Sequence, residues 1–415
     1  MKITKLDVTN LRGFEHASFE LDPSFTLLVG VNGVGKSSVL EALRISLSRV
    51  MPKFTASKAI PIAFADDDTR IGSPALTVRL DFLFADGARH FLMHLPREKY
   101  VPDQEGSVRA GAMTLPDQEE MSQPWPKVDK DGSQPLALFF GVRRSHPTDE
   151  RINKGRTTTG QAIAYADALS TVRALHLADI ASWILAQEAL AEELPRARLH
   201  LDALKSAAAR FLPTCTDLRA TNEDEKPRLL ITKGSVELDV RHLSEGERGM
   251  LALALDLARR LSQANPGLDD PVHDGVAVVL IDELDMHLHP SWQRQVSSLL
   301  TQTFRNCQFI ATTHSPQIFG EIKPDQIRKI DGGKVYSPGH SYGVDSSRLL
   351  EEEMDTPPRN AEVAAKLDVI ASLIGEEKGV EARKAIDALA TEIGDGDPEI
   401  TRARLLLDFL DEGAE

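Results

Sequence analysis

Cysteine is nearly absent: the 415 residues include two, Cys215 and Cys307. Two thiols so far apart exclude a disulfide scaffold and a multi-cysteine zinc ribbon, and they fit a reducing, cytoplasmic compartment. Long apolar runs are missing as well. Stretches such as Val276–Ile281 are strand-sized, too short for a membrane-spanning helix. Met1–Thr4 leads into a strand-like pattern rather than the apolar stretch of a signal peptide. Positive charge is in deficit, with 48 Lys+Arg against 63 Asp+Glu for a net charge of −15. Such a chain is no general polyanion binder, so any nucleic-acid contact needs a local basic cluster. Neither a solenoid repeat nor a long heptad run is present, which excludes a repeat array and a full coiled-coil arm. What remains is ordinary globular composition, 41% hydrophobic and 27% charged. The length predicts two or three domains, or one large α/β domain with insertions.

Residues 1–30 read as strands, ending in the short apolar run Phe25–Val29. A glycine-rich turn precedes a helix over Lys36–Arg49, and Ala75–Phe84 with Arg89–Leu95 reads as a hairpin about Asp86-Gly87. From Pro96 to Pro135 six prolines break the pattern, which predicts a mobile surface insertion. Leu136–Val142 reads as a strand, and Arg143–Arg156 as a loop with five Lys/Arg. Helices are expected over 162–212 with a break near Pro195, then a hairpin over Pro227–Val240 and a helix over Gly246–Ser262. Val276–Ile281 and Cys307–Thr312 read as buried strands flanking a helix over Ser291–Thr303. Three amphipathic helices are expected between Asn360 and Glu412, with apolar faces Leu367/Ile370/Leu373, Ala385/Ile386/Leu389 and Leu405/Leu406/Phe409/Leu410. The expected domains are residues 1–95 with the glycine-rich loop, 96–135 as insertion, 136–240 as a helical lobe, 241–335 as the second part of the α/β head, and 336–415 as a helical tail.

The most specific signal is Gly30-Val31-Asn32-Gly33-Val34-Gly35-Lys36-Ser37, a complete G-x-x-x-x-G-K-[ST] between a strand and a helix. In such a loop the backbone amides and helix N-terminus cradle phosphates. Lys36 reaches the β/γ-phosphates of ATP and Ser37 ligates Mg²⁺, with Ser38 next along the helix. Val276–Ile281 ends in Asp282-Glu283, a strand followed by carboxylates. Asp282 suits Mg²⁺ and Glu283 suits polarisation of the attacking water. Leu243-Ser244-Glu245-Gly246-Glu247 opens a helix, and Ser-x-x-Glu there is also a plain capping box. His314 follows the strand Cys307–Thr312, at the sheet edge where α/β folds place ligands. No Cys or further His lies near His287 and His289 in sequence, which argues against a zinc site.

In this order the motifs resemble the ABC-type AAA ATPase heads of the RecF, SMC and OLD group. The opening Asn10-Leu11-Arg12-Gly13-Phe14 is similar to that group's N-F-R-x-F, where the arginine lies near the nucleotide. The resemblance implies a P-loop mixed sheet with a helical lobe, plus a small C-terminal helical region. It implies that Ser244 and Gly246 form the signature loop, Asp285 the D-loop, and His314 the γ-phosphate switch. Glu283, His314 and Lys36 would be catalytic. Arg12, Asn32, Gly33, Val34, Gly35, Lys36, Ser37, Ser38, Ser244, Gly246 and Asp285 would bind nucleotide, with Ser37 and Asp282 on the metal. The Q-loop glutamine is either Gln161 or replaced by the strand end Leu138–Arg143. The tail from Tyr342 to Glu352 and its helices resemble compact stand-alone ATPases of anti-phage systems, the Septu subunit PtuA and its retron counterparts. These act with a separate HNH nuclease. The implied assembly is a homodimer or higher homo-oligomer closed around ATP. A RecF-like clamp binding DNA directly is the alternative, with Arg143–Arg156 as its basic loop, while the N-terminal opening, the insertion and the tail argue against a membrane-transporter subunit.

Overall fold

The computed structural model describes residues 1–96, 118–126, 132–145, 160–172, 175–223, 226–354, 356–357, and 359–412. Two compact units make up the chain, Met1–Ser346 and Ser347–Glu415.

At the centre of the first unit lies a six-stranded sheet. Its order is Lys334–Tyr336, Ile327–Asp331, Phe25–Val29, Cys307–Thr312, Ala277–Ile281, Leu136–Phe140. All neighbours are parallel except the first pair. Phe25–Val29, Cys307–Thr312, Ala277–Ile281 and Leu136–Phe140 are buried at every position, the pattern of strands covered on both faces. Their parallel sense brings the turns after Val29, Ile281, Thr312 and Phe140 to one edge of the sheet.

A second, antiparallel sheet runs Phe14–Glu20, Lys2–Leu11, Ala75–Phe84, Gly87–Pro96, Gln118–Met121. Gln308, wholly buried, ties the sheets together. Its Oε1 accepts from the Ile3 amide at 2.7 Å and its Nε2 donates to the Ile3 carbonyl at 2.7 Å. The helical part comprises Leu177–Leu190, Pro195–Phe211 and Glu245–Ala264, with a three-stranded sheet of Cys215–Glu223, Lys226–Lys233 and Val236–Asp239. No helix among the described residues is long and apolar enough to cross a membrane.

The segment expected to be an insertion is partly built into the fold. Gln118–Met121 pairs with Gly87–Pro96, and the Trp125 indole stacks on Phe54 at 5.3 Å between ring centroids. Residues 97–117 and 127–131 lie outside the described residues.

In the second unit, Ala361–Gly375, Gly379–Ile393 and Pro398–Glu412 pack around Ile370, Ile374, Ile386, Leu389, Ile400 and Leu407. The first two helices bury the expected faces at Ile370, Ile386 and Leu389. The last does not: Leu405, Leu406, Phe409 and Leu410 are exposed, and Ile400 and Leu407 face the core instead. Positions 400, 403 and 407 form the narrow i, i+3, i+7 stripe that meets two neighbouring helices.

Candidate nucleotide site

The loop from Gly30 to Ser37 leaves the buried strand Phe25–Val29 and enters the helix Lys36–Val50. Two of its glycines are there of necessity. Gly30 has φ +148, and a Cβ on it would sit 2.5 Å from the Ile330 carbonyl oxygen. Gly35 has φ +108, and a Cβ on it would sit 2.6 Å from the Phe14 ring. The loop is thus wedged at Gly30 against a strand and at Gly35 against an aromatic side chain, where a Cβ would collide. The Lys36 ammonium donates to the Gly30 carbonyl at 2.7 Å and the Val31 carbonyl at 3.1 Å. Burial lowers its pKa, opposed by the charges of Asp282, Asp285 and Glu283.

A cavity of about 230 Å³ opens over this loop, lined by Asn32, Gly33, Gly35, Lys36, Ser37, Ser38, Asp282, Glu283, Thr312 and His314. Residues from three sequence regions therefore meet in one concave space. Val34 lies within the loop but does not line the cavity. The Ser37 hydroxyl stands 3.5 Å from Asp282 Oδ1. A hydroxyl beside a carboxylate at a P-loop helix start is the donor set that suits Mg²⁺, with phosphate and water oxygens completing the shell.

Asp282 and Glu283 are held from two sides. On one side, Thr312 Oγ1 donates to Asp282 Oδ1 at 2.7 Å and accepts from the Glu283 amide at 2.8 Å. On the other, the Arg144 guanidinium donates to the main-chain carbonyls of Asp282 and Glu283, and to that of Gly141 at 3.2 Å. Glu283 has φ +48, the left-handed region that non-glycine residues seldom occupy. Burial lowers the Arg144 pKa to about 10, against the opposing charges of Asp282, Asp285 and Glu283.

His314 is positioned by Asp285, whose Oδ1 accepts from Thr313 Oγ1 at 2.6 Å and from the His314 amide at 3.2 Å. Asp285 thus orients the turn after Thr312 and does not line the cavity. Arg12 also stands one step back. It donates to Ser38 Oγ at 3.0 Å and pairs with Asp68 at 2.7 Å.

The helix Glu245–Ala264 begins outside the cavity. Ser244 is its N-cap, in a capping box with Glu247, and Glu247 in turn pairs with Lys233 at 2.8 Å. Gly246 packs on the turn after Glu283, where a Cβ would meet the His287 carbonyl oxygen at 2.5 Å. His287 lies 3.5 Å from the Glu245 carboxylate, and His289 caps the short helix Pro290–Gln293.

Gln161 is not at the site. Its amide bridges Gln134 and the carbonyls of Gly132 and Ala264. The strand end after Phe140 instead delivers Arg144 to the main-chain carbonyls of Asp282 and Glu283. Arg144 and Thr312 are the two site-shaping residues that the motifs missed. A cue for Arg144 exists in the apolar run Leu136–Phe140, which leads straight into Gly-Val-Arg-Arg. The burial of Arg144 also removes it from the expected basic loop; of the rest, residues 146–159 lie outside the described residues.

Residues 47–320 match a family described as AAA domain, putative AbiEii toxin, type IV TA system. A probable ATPase of retron Ec83 from Escherichia coli is 26% identical over 98% of this chain and 86% of its own length. The Septu protein PtuA of Bacillus mycoides is 40% identical over 18% of this chain and 10% of its own. A crystal structure of an SMC head bound to the C-terminal winged-helix domain of ScpA superposes with a TM-score of 0.47 at 15% identity, covering 82% of this chain and 98% of that one. With more than half of its length inside the family match and a P-loop, an Asp-Glu strand end and a histidine gathered on one sheet edge, the chain belongs to this AAA-domain family and is an ABC-type ATPase.

Proposed function

We propose that the chain binds Mg·ATP over Gly30–Ser38 and hydrolyses it between two copies, as the energy-using subunit of an anti-phage defence system that governs a separate nuclease. One observation carries the composite site. The cavity holds Lys36, Ser37, Asp282, Glu283 and His314, yet the helix start at Ser244 and Gly246 lies outside it. Lys36 binds the β/γ-phosphates once nucleotide draws its ammonium from the Gly30 and Val31 carbonyls. Ser37 and Asp282 hold Mg²⁺, which when bound neutralises phosphate charge. Glu283 takes the proton of the attacking water, and His314 donates to the γ-phosphate. Ser244 and the amides of its helix reach the γ-phosphate bound to a second copy. The similarity to a retron ATPase and to a Septu protein supports the defence role and the nuclease partner.

Complementation between tethered copies tests the composite site. Lys36→Ala and Ser244→Arg should each abolish turnover. Joined in one pair, they leave one site with an intact Lys36 facing an intact Ser244, so up to half the activity should return. Tethered mixed pairs as inactive as the parents would refute two independent shared sites. The DNA-clamp reading has less support, because Arg144 of its basic loop is buried against the Asp282 and Glu283 backbone.

A further inference from the structure

We propose that Arg144 is a positioning residue that sets Glu283 for the attack on ATP, an inference resting on the general-base role given to Glu283 above. The geometry is specific. Arg144 is 6% exposed, and its two terminal nitrogens donate to the carbonyls of residues 282 and 283, with a third bond to Gly141. These carbonyls flank the Glu283 α-carbon, whose φ is +48. A left-handed glutamate persists only where its surroundings over-determine it. Here Thr312 fixes the amide side of Glu283 and Arg144 the carbonyl side.

The choice of side chain follows from the task. Two carbonyls of consecutive residues need two donors in one rigid plane, which guanidinium has and ammonium lacks. The charge is also useful where it stands, because Asp282, Glu283 and Asp285 gather acidic groups around it. Arg144 does not itself line the cavity; its tip holds the main-chain carbonyls of Asp282 and Glu283, which do. Its effect therefore reaches the reaction through the direction in which Glu283 points.

The test uses the full chain, with Arg144→Lys made alone and in Glu283→Gln. Arg144→Lys should lower kcat at least tenfold, while affinity for a fluorescent ATP analogue stays within about threefold. In Glu283→Gln, adding Arg144→Lys should change residual turnover less than twofold, because the group it positions is gone. Wild-type kcat in Arg144→Lys, or an equal loss in both backgrounds, overturns the inference. Wild-type turnover in Glu283→Gln alone instead overturns the general-base reading beneath it. Should Arg144→Lys not melt cooperatively, Arg144→Ala with added methylguanidine decides. Turnover restored with folding is expected, and folding restored without turnover makes Arg144 a packing residue only.

Discussion

At the scale of single residues, the cavity sets cationic Lys36 near the carboxylates of Asp282 and Glu283. Lys36 spends its ammonium on two carbonyls of its own loop. Lys36→Ala should therefore leave the fold intact yet remove a charge-assisted phosphate contact of about 1.5–3 kcal/mol, or roughly ten- to a hundredfold in ATP affinity. Titration of a fluorescent ATP analogue reads this directly, and equal affinities would sink the P-loop assignment. His314 makes a pH prediction. Burial first, then the Lys36 charge, hold its imidazole below its ordinary range, against the pull of Asp285, Glu283 and Asp282. Its folded-state pKa is thus depressed below the unfolded value of about 6.5. Neutral His314 contributes stability that is complete above that value and lost as pH falls through the depressed one. Denaturant melts from neutral to mildly acidic pH should lose stability less steeply in His314→Gln than in the wild type. Parallel curves would show that His314 does not titrate this way. Lys36, Ser37, Asp282, Glu283 and His314 were legible in the sequence because each sits at a fixed offset from an apolar strand or a glycine. Arg144 and Thr312 were not. A basic residue in a polar stretch reads as solvated, and a threonine in a β-strand reads as strand propensity.

At the scale of elements, periodicity identified strands buried on both faces and amphipathic helices, and it failed where that signal is absent. Gln118–Met121 is an exposed edge strand with three polar residues and one methionine, too short and too polar to show alternation. Cys215–Glu223 is similarly polar and follows a helix directly. The last helix has leucines on several sides, so its sequence does not say which stripe a neighbour covers. The helix Glu245–Ala264 carries a contact that no sequence pattern announces, the seating of Gly246 against the His287 carbonyl. Gly246→Ala places a methyl group 2.5 Å from that oxygen, so the helix start must shift from the turn after Glu283. Overpacking of this kind destabilises by about 1–3 kcal/mol. Turnover should fall several-fold, while ATP binding to the Lys36 loop persists. Calorimetry and steady-state hydrolysis on the same preparation check both arms, and an alanine variant with normal melting and normal turnover would show that the seating is dispensable.

At the scale of the whole molecule, the sheet order has a consequence for how the protein is made. Phe25–Val29 is flanked by Cys307–Thr312 and Ile327–Asp331, so both its neighbours emerge from the ribosome long after it does. At ~5–20 residues per second, this apolar strand waits on the order of tens of seconds for its first partner. Until then the antiparallel sheet of Lys2–Leu11, Phe14–Glu20 and Ala75–Phe84 can form by itself, since its strands lie close in sequence. The glycine-rich loop is synthesised long before the strands that flank it and takes its shape only after them. Nascent chains arrested before Cys307 should accordingly keep Phe25–Val29 open to chaperones. Resistance of the nucleotide-bound head to proteolysis should begin only once Asp331 has cleared the exit tunnel.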